Sequence, residues 1–223
     1  MKYSIIREEA YKVKRDIGAK TILYPTPVLI VATYDSKGKA NAMTAAWGGI
    51  CCSEPPCVTI SVRKARYSYD SLVEKRAYTI NIPGKEYARE ADYFGITYGG
   101  DADKFAVTGL TPVKSDFVDA PYIEEFPINL ECKIVHIADL GAHTQFVGEI
   151  LNVKVDSDIL DNDWQPIIEQ VMPLIYAPGS NNYYTIGAEI GKAYHIGKDA
   201  GKFSASGNMA SFRANGHERS THT

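Results

Sequence analysis

Residues 24–72 read YPTPVLIVATYDSKGKANAMTAAWGGICCSEPPCVTISVRKARYSYDSL. The run at residues 28–33 is rich in β-branched and apolar residues, which favour strands, and the turn-forming residues 35–38 follow it. The small residues at positions 41–49 then return the chain as a second strand. The opening of this stretch therefore predicts two strands joined by a tight turn.

The second half of the stretch predicts a strand followed by a basic loop. Ser53-Glu54-Pro55-Pro56 ends the previous strand, and residues 58–62 form the next. Residues 63–68 then supply three cations and two hydroxyls where a helix is predicted to begin. A helix N-terminus offers unpaired N–H groups to phosphate, and arginine offers a planar fork. The spacing of these cations alone fits an ordinary solvated basic loop about as well. The position of the loop directly after the apolar strand at residues 58–62 favours an anion site.

The small-residue strand at positions 41–49 is the second candidate. Alanine, glycine and threonine let a flat ring approach the backbone, and Trp47 could form a wall of such a site. Close packing against another sheet or subunit is the alternative explanation. A small-residue strand beside an anion-binding loop is what a flat phosphorylated cofactor needs, so a cofactor-binding protein is the leading interpretation.

Two single residues complete the candidate set. His143 follows Gly141-Ala142 at a predicted corner, where an imidazole can act as an acid or base near neutral pH. Lys104, in Asp103-Lys104-Phe105, could meet an anionic ring or a phosphate. The alternatives are a structural histidine and a surface salt bridge.

Several familiar signatures are absent from the chain. It has no Gly-x-Gly-x-x-Gly after a strand, no P-loop, no His-Glu-x-x-His and no Gly-x-Ser-x-Gly. These absences weigh against a Rossmann dehydrogenase, a P-loop nucleotidase, a zincin and an α/β-hydrolase.

The amino-acid composition further restricts the kind of protein, its partners and its location. Of the 223 residues, 45% are apolar and 23% are charged, an ordinary balance for a globular protein with a full core. The formal net charge of -3 argues against nucleic acid as the main partner, because phosphate-backbone binding needs a clustered positive field. No apolar run approaches a membrane span, and the alternating charges near the start predict a short helix at residues 4–17 rather than a signal peptide. We therefore expect a cytoplasmic protein without a membrane partner.

The four cysteines are Cys51, Cys52, Cys57 and Cys132. They do not suggest a disulfide framework in a chain of this size. Cys51 and Cys52 are neighbours on a predicted strand, so we expect their side chains on opposite faces, badly placed to ligate one metal ion together. We interpret the cysteines as small buried apolar residues, with a metal or redox-dithiol site as the less favoured alternative.

The organisation of the whole chain is predicted to be simple. Many strands with few scattered helices indicate a closed antiparallel barrel with helical additions. We expect one domain over residues 1–200 and a polar tail, residues 201–223, that is disordered in isolation. The strand at residues 128–137 alternates between apolar and polar residues, which predicts that Asn129 and Glu131 face away from the core.

The order of these features resembles the flavin reductase-like family of FMN-binding split-barrel proteins, in particular its flavoredoxin-like branch. The similarity covers about residues 20–198. The segments that carry it are residues 24–31, 41–47, 53–56, 63–68 and 103–105, His143 with Gly148-Glu149, and Tyr183-Tyr184.

The resemblance implies a fold, a cofactor and a reaction. The fold would be a mainly β (α+β) antiparallel split β-barrel with peripheral helices, assembled as a homodimer with FMN near the dimer interface. NAD(P)H would be the electron donor, and a free flavin, a ferric complex or a redox protein partner would be the acceptor. An electron carrier that does not react with NAD(P)H and a non-enzymatic ligand-binding module are the alternatives.

The resemblance also assigns site residues, position by position. Those implied to contact the ring or ribityl chain are Met43, Thr44, Ala45 and Trp47. Those implied to hold the phosphate are Ser61, Arg63, Arg66, Tyr67 and Ser68. Lys104 and His143 would lie near the flavin or the nicotinamide, with His143 as the candidate catalytic residue; no metal is implied. The family often carries aspartate just before this histidine, but this chain has Ala142, so that partner for the imidazole is missing.

Overall fold

The structure, a computed structural model, describes residues 13–198. The predicted tail, residues 201–223, lies outside the described residues. Of the helix predicted at residues 4–17 only residues 13–17 are described, and these are not helical, so the prediction is wrong for them. The contacts divide the chain between Ile186 and Gly187 into two units, and the described part of the second unit contains turns but no helix or strand.

Twelve strands and four α-helices lie within the described residues. The strands are β1 (Thr26–Pro27), β2 (Leu29–Tyr34), β3 (Ala40–Ala45), β4 (Gly48–Ser53), β5 (Pro56–Val62), β6 (Ala77–Ile82), β7 (Pro112–Lys114), β8 (Pro121–Ile123), β9 (Ile128–Leu140), β10 (His143–Val155), β11 (Leu174–Ala177) and β12 (Asn182–Thr185). The helices are α1 (Ser68–Lys75), α2 (Ala88–Ile96), α3 (Lys104–Thr108) and α4 (Ile168–Val171). None of these helices has the length and apolar content needed to cross a membrane.

The main sheet curls because its two edges are joined by a very short connection. Its strand order is β3-β2-β6-β9-β10-β5-β4, and each neighbouring pair is antiparallel. The edge strands β3 and β4 are separated along the chain by Ala46 and Trp47 alone. Three Cα steps reach at most about 10 Å, so the edges must approach each other. The Ser61 amide donates to the Trp47 carbonyl at 2.8 Å and ties this connection to β5.

The prediction of one continuous strand over residues 41–49 is corrected at this connection. The first part, β3, pairs with β2, whereas the continuation, β4, pairs with β5. Gly48 lies where the chain changes partner. A Cβ there would come within 2.6 Å of the Thr59 carbonyl oxygen and 2.7 Å of Leu29 Cδ1, so only glycine fits without displacing its neighbours.

Two apolar clusters cover the two faces of β2. Leu29 and Val31 belong to the cluster inside the barrel. Val28, Ile30 and Ala32 belong to a second cluster, shared with α2, α3 and β8. Because both faces are buried, residues 28–33 read as a nearly continuous apolar run rather than an alternating one.

The outward-facing side predicted for β9 is buried instead. Asn129 and Glu131 are 4% and 0% exposed. Asn129 Nδ2 donates to the Phe126 carbonyl at 3.0 Å, and Glu131 Oε2 accepts from Asn152 Nδ2 at 2.6 Å. The predicted alternation is confirmed, because Cys132 and Ile134 belong to the cluster inside the barrel and Asn129 and Glu131 do not. The expectation that this second face is open to solvent is wrong, because neighbouring segments bury it.

The corner predicted around His143 can be described in more detail. The predicted corner before His143 is a tight hairpin turn of Gly141 and Ala142, with Gly141 at φ 77. His143 is thus the first residue of β10 rather than part of a loop.

The cysteines divide into two groups. Cys57 and Cys132 are buried, which confirms their interpretation as small core residues. Cys51 and Cys52 are exposed, so the same interpretation is wrong for them. The register of β4 against β5 shifts between Ile50 and Cys52, and the regular alternation assumed for the cysteine pair does not hold there.

Candidate functional site

A cavity of about 520 Å³ lies beside the connection between β3 and β4. Many of the residues predicted from the sequence to bind a cofactor meet in its lining. The predicted residues found there are Met43, Thr44, Ala45, Trp47, Ser61, Arg63, Arg66 and His143. They come from β3, the connection, the end of β5, the basic loop and the start of β10. The cavity is therefore formed where the sheet changes partner.

One side of the cavity is made of small and apolar residues. Met43 and Ala45 are each 8% exposed. The Thr44 hydroxyl donates to the Ala91 carbonyl and so fixes β3 against α2. A Cβ on Gly95 of α2 would lie 3.3 Å from Thr44 Cβ, a tight contact. Helix α2 and strand β3 therefore approach closely through small residues. The cavity wall that they form has few protruding side chains, so a flat group can lie against it.

The cationic side of the cavity comes from the loop between β5 and α1. Hydrogen bonds from the Arg66 amide to the Arg63 carbonyl at 3.0 Å, and from the Tyr69 amide to the Arg66 carbonyl at 2.9 Å, shape this loop. Arg63 and Arg66 line the cavity. Arg66 Nη1 lies 3.4 Å from the Gly95 carbonyl oxygen, a long contact that leaves most of the guanidinium available to a ligand.

Lys64, the third cation of the loop, has a different partner. Its ammonium lies 2.7 Å from the Asp139 carboxylate, and both groups are on the surface. Hydrogen bonding to Asp139 raises the pKa of Lys64, and the same contact lowers the pKa of Asp139. Lys64 does not belong to the cavity lining. Of the three cations in the motif, the structure thus directs two towards the cavity.

Tyr67 and Ser68, two residues predicted to hold a phosphate, do not belong to the cavity lining. Tyr67 Oη donates to Asp35 Oδ2 at 2.9 Å, and this hydrogen bond raises the pKa of the tyrosine. Ser68 is buried, and its hydroxyl accepts from Asn41 Nδ2 at 2.8 Å. Both residues anchor the basic loop to the β2–β3 hairpin.

Lys104 is also outside the cavity lining. It is 4% exposed, and its Nζ donates to the carbonyls of Ala42 at 2.8 Å and Phe94 at 3.0 Å. Burial, aided by repulsion from Arg66, lowers the pKa of Lys104 to about 8. In the structure this lysine joins α3 to β3 and α2, and the predicted contact with a cofactor stays a prediction.

Four polar lining residues were not among the site residues predicted from the sequence: Asp92, Tyr176, Asn181 and Tyr183. Tyr183 Oη donates to Asp92 Oδ1 at 3.1 Å, and burial together with this carboxylate raises the pKa of Tyr183 to about 12. Tyr176 Oη donates to Asn181 Oδ1 at 2.5 Å, and the two tyrosine rings are 5.8 Å apart. Tyr183 belongs to the Tyr-Tyr pair noted in the resemblance, but no sequence pattern marks Asp92.

The arrangement suits one kind of ligand. Two arginines at one end can hold an anionic group by charge-assisted hydrogen bonds, and the small-residue wall can accept a flat ring. Within the described residues, no group of three or more His, Cys, Asp or Glu side chains has the geometry to hold a metal ion. The site is therefore suited to an organic anion with an aromatic ring.

Comparisons with protein families and with solved structures both identify flavin-related proteins as relatives of this chain. A family model described as "Flavin reductase like domain" matches residues 21–186. Flavoredoxin of Desulfovibrio vulgaris (Miyazaki F) is 50% identical with a TM-score of 0.80, and the match covers 83% of this chain and 100% of that chain. Flavoredoxin from Methanosarcina acetivorans is 28% identical with a TM-score of 0.79, over 85% of this chain and 100% of that chain.

A further solved structure bears on the architecture alone. It comes from Shewanella frigidimarina, its description includes a split barrel domain, and it is 23% identical with a TM-score of 0.68, over 76% of this chain and 85% of that chain. The predicted antiparallel split barrel with peripheral helices is confirmed. The chain belongs to the flavin reductase like domain family, on its flavoredoxin-like branch.

Proposed function

We propose that this protein is an FMN-dependent oxidoreductase that takes electrons from NAD(P)H and passes them to a flavin, a ferric complex or a protein acceptor. The observation that carries the proposal is the cavity itself, which combines two arginines with a small-residue wall in a chain of this family. FMN supplies the hydride and electron chemistry, while the protein binds and orients it.

The residues present fit FMN. Arg63 and Arg66, with the nearby Ser61, would hold the phosphate, and the chain from Met43 to Trp47 would lie along the ring and ribityl group. Tyr67, Ser68 and Lys104 would act indirectly, by holding the loop and β3 in position. His143 lines the cavity and would lie within reach of the nicotinamide side.

A second candidate function is an electron carrier that does not react with NAD(P)H. The 50% identity to the flavoredoxin of Desulfovibrio vulgaris favours it, and the same cavity would serve. Both proposals include a homodimer in the cytoplasm that exchanges electrons with a redox protein partner. A ligand-binding module without flavin is the remaining alternative.

Absorbance spectroscopy tests these proposals in sequence. We expect the purified protein to bind FMN, either as isolated or on reconstitution, and to lose the visible flavin band when NADH or NADPH is added without oxygen. If the flavin band persists with both nucleotides but disappears with dithionite, the result would refute the reductase proposal and support the electron-carrier proposal. Failure to retain FMN under any condition would overturn both.

A further inference from the structure

Three of the four cysteines meet at an irregularity in the β4–β5 hairpin. Ile50 pairs with Val58 and Cys52 pairs with Cys57, so Cys51 is an extra residue between two regular pairs. In such a bulge, two residues of one strand oppose a single residue of the other. Cys51 and Cys52 therefore both lie opposite Cys57, which strict strand alternation would not allow.

The pKa shifts of Cys57 and Cys51 are consistent with this register. Burial raises the pKa of Cys57, and repulsion from Cys51 and Cys52 raises it further. The pKa of Cys51 is also raised, by burial and by Cys52. Cys51 and Cys52 thus both act on the Cys57 thiol, as expected for groups on neighbouring strands.

The three thiols differ in accessibility. Cys51 and Cys52 are exposed, and Cys57 is 5% exposed. The Cys52 thiol donates to the Glu54 carbonyl at 3.3 Å, within its own turn. Two thiols are therefore open to reagents in solution, and the third is buried on the neighbouring strand.

The register makes one pair suitable for a disulfide. Directly opposed residues in antiparallel strands have Cα atoms about 4.5–5.5 Å apart, and a disulfide usually spans Cα atoms about 4.4–6.8 Å apart. Cys52 and Cys57 are such a pair. Their register alone thus places the two Cα atoms in the range that a disulfide spans.

The geometry points to a reversible dithiol–disulfide site at Cys52 and Cys57 that exchanges with low-molecular-weight disulfides. The exposed Cys52 thiolate attacks one sulfur of the small disulfide, forms a mixed disulfide and releases the first small thiolate, which takes up a proton. Cys57 then attacks the Cys52 sulfur, and the second small thiol leaves with the Cys57 proton. Two protein thiols are oxidised by two electrons, and one small disulfide is reduced to two thiols.

The site is distinct from the cofactor cavity, although both adjoin the same strand. None of the cysteines lines the cavity, but β4 begins directly after Trp47, which does. The proposed exchange needs no bound cofactor, so its test does not depend on the proposed function.

Oxidation of the full chain with excess oxidised glutathione, followed by mass spectrometry, tests the site. We expect a Cys52–Cys57 link among the peptides, and in the Cys51→Ser variant, which lacks the other exposed thiol, we expect the number of free thiols to fall from three to one per chain. The variant Cys51→Ser should still lose two hydrogens and keep no glutathione. A Cys51–Cys57 link in the unmodified chain, or native thiols that do not react, would overturn the proposal.

A matched variant separates exchange from simple surface reactivity. Cys51→Ser combined with Cys57→Ala should stop at the mixed disulfide and keep one glutathione on Cys52, because the resolving thiol is gone. Alanine is small enough to replace the buried cysteine, and circular dichroism would check that the fold is retained. If Cys51→Ser alone also keeps its glutathione, Cys57 does not resolve the mixed disulfide and the proposal fails.

Discussion

Arg66→Met tests the anionic end of the cavity, and Lys64→Met is its matched control. Both substitutions remove one positive charge from the same loop. Arg66 lines the cavity and has only a 3.4 Å contact to the Gly95 carbonyl, whereas Lys64 is paired with Asp139 at 2.7 Å and lies outside the lining. If phosphate binding depends on the position of the cation and not only on the charge of the loop, the two variants must differ in their affinity for FMN.

The expected size of the effect follows from the contact that Arg66 would make. A hydrogen bond to a charged group contributes about 1.5–3 kcal/mol, and each 1.4 kcal/mol is tenfold in Kd. We therefore expect Arg66→Met to weaken FMN binding by about tenfold to a hundredfold. Lys64→Met should change it little, because the charge of an exposed residue is screened by solvent and salt.

Fluorescence titration of the apoprotein with FMN and with riboflavin provides the assay. Riboflavin lacks the phosphate, so its affinity should be nearly the same in Arg66→Met and in the unmodified protein. Raising the salt concentration should weaken FMN binding more than riboflavin binding. Equal losses of FMN affinity in the Arg66 and Lys64 variants, or an equal loss for riboflavin, would refute the assignment of Arg66 to the phosphate.

Two further predictions concern stability. Gly148→Ala would place a methyl group against Tyr78 Oη and within 2.9 Å of its ring, so we expect a loss of about 2–4 kcal/mol in urea unfolding. Adding Tyr78→Phe, which removes only the nearest atom, should recover part of it; no recovery would contradict this steric explanation. Burial lowers the pKa of Lys104 from 10.5 to about 8, so the unfolded chain binds more protons between these values. The free energy of unfolding should therefore rise with pH from about 8 to 10.5, and Lys104→Met should remove that part of the slope; identical pH profiles would refute it.

The parts of the fold that were predicted correctly depend on local patterns. The strand at residues 28–33, the turn after it and the strand before Arg63 are recognisable because strand composition and turn residues act over a few neighbours. Arg63 and Arg66 were found for the same reason, since cations placed between a strand and a helix start are visible in the sequence alone.

The parts that could not be predicted depend on residues far apart in the chain. Neither the break at Ala46 nor the burial of Glu131 has a local signal, because each is decided by which strand or segment packs alongside. The pairing of Asp92 with Tyr183 joins a helix to a hairpin 91 residues later. Such contacts arise only when the sheet curls and its outer face is covered.

Residues 24–72, which opened the sequence analysis, illustrate the division. Their sequence alone predicted most of the strands, the turns and a basic loop beside small residues, because these follow from backbone preferences and the chemistry of single side chains. Tertiary structure decided that Arg66 faces the cavity while Lys64 faces Asp139, and that a bulge brings Cys52 opposite Cys57. The physical reason is that the direction of a side chain depends on strand register and packing, which are set by partners distant in sequence.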